Sequence, residues 1–349
     1  VNARLDSIAV VMMSTVGNAV HTLPVVNSLK AHRPQARITW ILQRGAAALV
    51  EGHPAVDETV VFDRDRGLGG LRDLRRALAG RRFDVALNLQ AYFKAGVATS
   101  LTRAPVRVGY DRARARDLTW LFSTHKLPAR PRAHVQDEFL EFLDFLGVPR
   151  RLEWGLEASE EERARYAPLL PESNRPTVAM VVGTTKPEKE WPAERYAVLA
   201  DRLAGEFGAR TVLVGGRSAR EEEAAATIRR LARKPPLDLR EWDLRRLAYL
   251  TERADVLVSP DTGPLHVGVA LNTPTVALMG YTNPKRYGPY RRFLDLMVDA
   301  FGEPGEDYPV TAGHRPGRMG RITVEEVAEK VERALQNYPR TSPRGQPSP

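Results

Sequence analysis

Residues 255–290 read DVLVSPDTGPLHVGVALNTPTVALMGYTNPKRYGPY, and their reading decides the fold. Asp255–Ser259 is a short apolar run that reads as a buried strand. Pro260, Asp261, Thr262 and Gly263 form a turn, and Pro264 stands where the first turn of a helix begins, a position at which its missing N–H costs nothing. Gly268 and Ala270 give that helix a slim face for close packing on a sheet. A second apolar run, Thr275–Met279, ends at Gly280. Strand, tight turn, helix and strand in this order build a parallel sheet.

The turn also carries chemistry. A helix N-terminus presents unpaired N–H groups and about half a positive charge, so it attracts phosphate. Here it comes with the Thr262 hydroxyl, with Gly263, where backbone approaches closely, and with His266 one turn on. Lys285 and Arg286 follow shortly after the next strand. The alternative is structural: Asp261 or Thr262 caps the helix and His266 packs.

Outward from this stretch the same alternation fills both halves of the chain. In the first half strands are expected at Ser7–Met13, Arg37–Leu42, Thr59–Phe62, Val85–Leu89 and Val106–Gly109, with helices at about Ala19–His32, Ala46–Glu51 and Leu71–Ala79. Gly147–Thr177 is rich in charge and proline and reads as a domain connection. The alternation then restarts with strands at Thr177–Val182 and Thr211–Val214 and helices at Ala193–Phe207, Arg220–Ala232 and Leu244–Ala254. The pattern predicts an α/β protein of two Rossmann-like, doubly wound lobes facing a central cleft, residues 1–155 and 156–338, with a disordered tail over 339–349.

Composition narrows the classes. With 349 residues, 43% hydrophobic and 27% charged, the chain has the make-up of a soluble globular protein. Without cysteine it has no disulfide, thiol nucleophile or thiolate metal site. The opening VNARLDSIAVVMM lacks the basic segment, apolar core and cleavage site of a signal peptide, so a cytoplasmic location is expected. Lys and Arg number 52 against 43 Asp and Glu, a formal charge of +9 that suits an anionic partner. No aromatic–basic interleaving or nucleic-acid module accompanies it, and no nucleic-acid partner is expected.

Three further loops hold candidate ligand groups. STVGN at 14–18 has a single glycine and no G-x-G-x-x-G, which counts against a nicotinamide or flavin cofactor. Gly17 permits a tight strand-to-helix turn, Asn18 is expected to cap the helix, and His21 lies one turn later. After the first strand of the second half, Thr184 and Thr185 offer hydroxyls and Lys186 and Lys189 offer cations, at the strand end where open α/β sheets bind ligands. Gly215 and Gly216 then precede Glu221, Glu222 and Glu223, carboxylates that either complement a helix dipole or bind sugar hydroxyls. Small, hydroxyl, cationic and carboxylate groups together suit a nucleotide-diphosphate ligand, with Lys and helix N-termini rather than a metal carrying the phosphate charge.

SPDTGPLHVGVALNTPTVALMG resembles the signature of the ADP-heptose:lipopolysaccharide heptosyltransferases, glycosyltransferase family 9. STVGNAVHTLPVVNSLKAHRP, FDVALNLQAYFKAG and TTKPEKEWP are similar to further family segments in the family's order, so the resemblance covers nearly the whole chain. It implies a GT-B fold and metal-independent, inverting transfer of a sugar, with the nucleotide-sugar a co-substrate rather than a cofactor. The ADP-heptose-like donor would sit on the second lobe and a phosphorylated or lipid-linked glycan acceptor on the first, with peripheral association at the inner face of the cytoplasmic membrane. By position, Thr184, Thr185 and Lys189 would hold the donor phosphates, and Asp261, Thr262, Gly263 and His266 would line the diphosphate and sugar pocket. Glu221 or Glu222 would bind ribose or sugar hydroxyls, and Gln90 and Lys94 fall where the acceptor lies. Many members carry Asp after the first-loop glycine as a proposed general base, whereas this chain has Asn18, whose carboxamide has no useful proton affinity. Another group such as His21 or Asp261 would then act, or positioning and leaving-group stabilisation would suffice, or the chain is a non-catalytic nucleotide-sugar-binding relative. A nucleotide-sugar epimerase is the rival enzyme class on this fold.

Overall fold

The computed structural model describes residues 3–339; the expected tail over 339–349 lies, apart from Pro339, outside the described residues. The chain divides into two compact units between Gly155 and Leu156.

Unit 1 runs β1 (Ser7–Val11), α1 (Val16–His32), β2 (Arg37–Gln43), α2 (Arg44–Val50), β3 (Glu58–Phe62), α3 (Leu68–Ala77), β4 (Val85–Asn88), α4 (Phe93–Leu101), β5 (Val106–Gly109), β6 (His125–Lys126) and α5 (Val135–Leu146). Its six-stranded sheet has the order β3-β2-β1-β4-β5-β6 with all neighbours parallel. Continuous apolar runs such as SIAVV in β1 and VALN in β4 are what a strand covered on both faces requires. Val11 and Asn88 are register partners, so β1 and β4 end level at the carboxyl edge. A core of Ala9, Val11, Ile41, Phe62, Leu74 and Ala86 fills one face.

Unit 2 runs α6 (Glu160–Tyr166), β7 (Thr177–Val181), α7 (Ala193–Glu206), β8 (Arg210–Val214), α8 (Ala219–Leu231), β9 (Leu237–Asp238), α9 (Leu244–Arg253), β10 (Val256–Pro260), α10 (Gly263–Ala270), β11 (Thr275–Met279), α11 (Pro284–Tyr287), β12 (Val298–Asp299) and α12 (Val324–Asn337). Its sheet, also six-stranded and parallel, has the order β12-β11-β10-β7-β8-β9. Both faces are packed, one around Val178, Met180, Tyr196 and Leu278, the other around Ala179, Val181, Leu250 and Leu257. The slim face of α10 is real: a Cβ on Gly268 would lie 2.5 Å from Thr275 Oγ1 and 2.7 Å from Leu257 Cδ2. Both units are doubly wound, as the alternation predicts, and the chain has the two-lobe α/β architecture of the GT-B class.

Some local expectations fail. The first helix begins at Val16 with Thr15 as N-cap, so Asn18 lies inside its first turn and caps nothing. Helix α4 was not expected; its small-residue sequence FKAGVATSL carries no amphipathic period. The two-residue strands β6, β9 and β12 are too short to leave an alternation. Among the described residues no helix is long and apolar enough to cross a membrane.

Candidate functional site

In an open parallel sheet the crevice for ligands lies outside the carboxyl ends of the strands, where the winding direction switches. In unit 2 the chain winds from β7 through β8 to β9, then returns to place β10 on the other side of β7. The loops after β7 and β10 therefore diverge at the switch point, and the candidate residues of both loops meet there.

Lys189 and Asp261 join across it. Lys189 Nζ donates to Asp261 Oδ2 at 2.6 Å and to the Asp261 carbonyl at 3.1 Å. Thr282, just past β11, donates its hydroxyl to the same Oδ2 at 2.6 Å. His266, one turn into α10, places Nε2 3.7 Å from Asp261 Oδ1. Burial pushes the Asp261 carboxyl up, but His266 and Lys189 outweigh it and hold the group well below the usual carboxylate range. Asp261 thus stays ionised and gathers a lysine, a hydroxyl and an imidazole around one buried carboxylate. Thr282 is a member that sequence reasoning missed, although its place three residues past the carboxyl end of β11 was a usable signal.

The surrounding loops supply the remaining groups. Thr262 is the N-cap of α10 but makes no side-chain cap bond, and Gly263 and Pro264 open the helix. The Thr184 hydroxyl donates to the Lys186 carbonyl at 2.5 Å, turning the loop after β7, while Thr185 stands exposed beside it. Lys186 is exposed and places Nζ 5.8 Å from the centroid of the Tyr281 ring.

The two glutamates divide their work. Glu221 forms a capping box with Ser218 and also accepts from Gly216 N at 2.9 Å, so both its oxygens serve backbone N–H groups. Glu222 pairs with Arg217 at 2.8 Å and Arg240 at 3.1 Å and remains 44% exposed. Burial pushes the neighbouring Glu190 carboxyl up; Arg220 opposes this and Glu221 adds to it. At the same edge Trp242, 71% exposed, rests on Gly216, where a Cβ would collide with the indole at 2.6 Å. Sequence reasoning passed over Trp242, which lies four residues beyond β9, a strand too short to be read from the sequence.

In unit 1 the switch point lies between β1 and β4. Gln90, just past β4, accepts from Met13 N at 2.7 Å through Oε1 and is thereby fixed at the carboxyl edge. Lys94 lies exposed in the first turn of α4. Asn18, half-buried, donates from Nδ2 to Ser14 Oγ at 2.9 Å. His21 is only 4% exposed; its Nδ1 lies 3.1 Å from Gln136 Oε1, and Gln136 Nε2 donates to the His21 carbonyl at 2.8 Å, which ties α1 to α5. The structure thus brings Lys189, Asp261, Thr262 and His266 together and directs His21 into helix packing.

The sequence model of glycosyltransferase family 9 (heptosyltransferase) matches residues 71–300, about two thirds of the chain. The chain is 28% identical over 338 residues to the lipopolysaccharide core heptosyltransferase OpsX of Haemophilus influenzae, covering 94% of this chain and 96% of that one. The glycosyl transferase family 9 structure from Veillonella parvula superposes with a TM-score of 0.82 at 25% identity, over 97% of this chain and 99% of that one. The Escherichia coli heptosyltransferase WaaC with ADP shares the fold, with a TM-score of 0.77 at 23% identity over 94% and 99% of the two chains. A match over most of the chain, whose span includes both Lys189 and Asp261, settles membership: the chain belongs to glycosyltransferase family 9, the heptosyltransferases.

Proposed function

We infer that this family 9 glycosyltransferase moves a heptose from an ADP-heptose-like nucleotide-diphosphate donor to a lipopolysaccharide-core or related anionic glycan acceptor, without a metal. Unit 2 binds the donor and unit 1 the acceptor. The observation that carries this reading is the Lys189–Asp261 pair at the unit 2 switch point, a buried carboxylate holding a cation where a diphosphate would lie.

An acceptor hydroxyl oxygen bonds to the anomeric carbon while the bond from that carbon to the diphosphate oxygen breaks. The bonding pair leaves with the diphosphate, and the hydroxyl proton passes to water. Lys189, the N–H groups opening α10 and the hydroxyls of Thr185 and Thr262 face the charge that develops on the leaving group, while Thr184, its proton held by the Lys186 carbonyl, shapes the loop that presents them. Asp261 and Thr282 keep Lys189 aimed, and His266 completes the pocket. Glu221 is committed to backbone, so Glu222 receives ribose or sugar hydroxyls, and the exposed face of Trp242 is a stacking platform for the base.

A dedicated base is not needed for this scheme. Asn18 cannot accept the proton, Asp261 is held too acidic to be an effective base, and His21 is packed against α5. Positioning and leaving-group stabilisation carry the rate. Gln90 and Lys94 contribute to acceptor placement.

The test is ADP release from ADP-heptose with a bacterial lipopolysaccharide-core acceptor and EDTA present. Acceptor-dependent release with glycan extension is expected. Donor conversion without acceptor would identify an epimerase, and tight donor binding without transfer a non-catalytic relative.

A further inference from the structure

Beside the unit 1 edge that carries Gln90 and Lys94, the protein exposes large apolar side chains that its own core leaves uncovered. Tyr92 and Phe93 are 52% and 47% exposed, and Leu118 and Leu121 are 57% and 58% exposed. They form one region: Phe93 packs edge-on against Phe122 at 5.2 Å, Arg116 N donates to the Ala91 carbonyl at 2.8 Å, and the Arg116 guanidinium lies 6.0 Å from the centroid of the Tyr92 ring. A 3-10 turn over Thr119–Phe122 carries Leu121 and follows Leu118 directly.

The backbone holds this tip in place against local preference. Asp117 and Leu118 sit consecutively at φ values of 50° and 60°, a left-handed conformation that aspartate tolerates and leucine disfavours. A segment that only had to turn there would use glycine or asparagine. Here the left-handed Leu118 is presented to solvent.

The ionisable groups around the tip are mostly of one sign. Arg112, Arg116 and Lys126 are exposed, with Asp117 the exposed carboxylate of the same segment. Arg112 lies 4.9 Å and Lys126 5.4 Å from the centroid of the Trp120 ring, so their heads rest on an aromatic face at the rim. Arg114, in contrast, is buried with Asp111 and Glu141 and belongs to the scaffold. Apolar side chains at a tip, with Trp, Tyr and cations at its rim, match the layering of a bilayer interface: acyl boundary, headgroup belt, anionic surface.

We propose that the tip formed by Tyr92–Phe93 and Arg112–Lys126 docks unit 1 on an anionic lipid bilayer, with Leu118 and Leu121 inserted at the acyl boundary and Arg112, Arg116 and Lys126 on the headgroups. Docking of this kind presents the carboxyl edge of the unit 1 sheet to a lipid-linked substrate. The inference goes beyond the donor chemistry and does not depend on it.

The experiment is co-flotation of the full chain, without donor, with vesicles of phosphatidylcholine alone or of phosphatidylcholine and phosphatidylglycerol in equal amounts. Binding to the anionic vesicles that weakens with salt is expected, with little binding to the neutral ones. Arg112→Gln with Arg116→Gln should lower partitioning by roughly fivefold for each charge removed. Leu118→Asn with Leu121→Ser, which also relieves the left-handed leucine, should lower it at least as much while the thermal unfolding midpoint holds or rises. Transfer to a lipid-free acceptor should be unchanged in both variants, which separates this proposal from the catalytic one. Wild-type binding by either folded variant, equal binding to both vesicles, or no vesicle binding at all would overturn it. So would concentration-dependent dimerisation without lipid that the leucine variant abolishes, since the tip would then cover a second copy of the chain.

Discussion

The two units share one scaffold and differ at one edge. Each sheet places its first strand beside its fourth and winds outward in both directions from that pair. At the amino edge the pairs are closed alike. Asp84, before β4, accepts from Ser7 N at 2.9 Å, and Asp255, before β10, accepts from Thr177 N at 2.8 Å. In each case the aspartate N–H also donates back to the partner strand, to the Ser7 carbonyl at 2.8 Å and the Thr177 carbonyl at 2.9 Å. At the carboxyl edge the pairs diverge: a neutral side-chain amide, Gln90 to Met13 N, closes unit 1, and a buried ion pair, Lys189 to Asp261, closes unit 2. Where the scaffold alone matters the chemistry repeats; where ligands are expected it does not. A buried ion pair is a poor way to stabilise a fold, so the charge at the unit 2 edge points to binding, and the neutral clamp at the unit 1 edge to geometry.

The largest expected effect tests the charged edge. Lys189→Met should lower kcat for heptose transfer by about 10²–10³-fold, the loss typical of removing one donor to developing charge. It also strands the Asp261 carboxylate, so the variant should lose stability as well. Lys189→Met with Asp261→Asn removes both charges and should recover much of the stability without recovering transfer. If the double variant regains transfer, the pair is structural and the proposed leaving-group role is wrong.

Asn18→Asp asks whether unit 1 can be made chemically active as well. A carboxylate in the first turn of α1 is favoured by the helix dipole and sits beside the Ser14 hydroxyl. If position 18 lies by the reacting hydroxyl, transfer should rise by about 10²-fold, the low end for a positioned base, and the pH–rate profile should gain an acidic limb. An unchanged rate and profile would show that proton removal does not depend on this position.

The contrast between the edges was only partly legible in the sequence. The turn at 260–264 was readable because proline and glycine mark it, and the helix after it because Gly268 must be small to meet Thr275 and Leu257. Pairings over long separations were not: Lys189 and Asp261 are 72 residues apart, and His21 and Gln136 are 115 apart. Only the winding order brings Lys189 to Asp261, and only the packing of α5 on α1 occupies His21. Glu221 shows the opposite failure. Its role was local and visible as Ser218-x-x-Glu221, a capping box, but a carboxylate beside two glycines also looks like a ligand group.

Gln90→Leu probes the neutral edge. It leaves Met13 N, a buried donor, without its partner, at a cost of about 1–3 kcal/mol. The expected signature in transfer is a raised acceptor KM, with donor affinity measured by ADP titration unchanged. Weakened ADP binding would break the division of labour between the units.

Acid sharpens the contrast in another way. The folded-state value of Asp261 is depressed below the ordinary carboxylate value near 4. Its contribution to stability is therefore complete above about pH 4 and is lost as pH falls from there through the folded value, because the unfolded chain takes up the proton first. Thermal unfolding from pH 6 downward should show a shallower acid slope in Asp261→Asn than in wild type. Parallel slopes would mean that this carboxylate is not held ionised by Lys189 and His266.

The smallest expected effect is the one that should be equal in the two units. Asp84→Asn and Asp255→Asn keep the shape of the amino-edge staple and an oxygen acceptor but remove the charge that strengthens the bond to the Ser7 and Thr177 N–H groups. A neutral acceptor retains roughly half the strength of an ionised one, so each variant should lose about 1 kcal/mol. Neither aspartate is at the ligand edge, and neither substitution should change kcat or KM beyond the error of measurement. Urea unfolding with a reporter in each unit, Trp40 in unit 1 and Trp191 in unit 2, both buried, would read the two losses separately. Equal losses with unchanged turnover would establish the amino edges as shared scaffold. A turnover defect confined to Asp255→Asn would mean that strain at the amino end of β10 reaches Asp261 at its carboxyl end, and that the unit 2 sheet transmits what the unit 1 sheet does not.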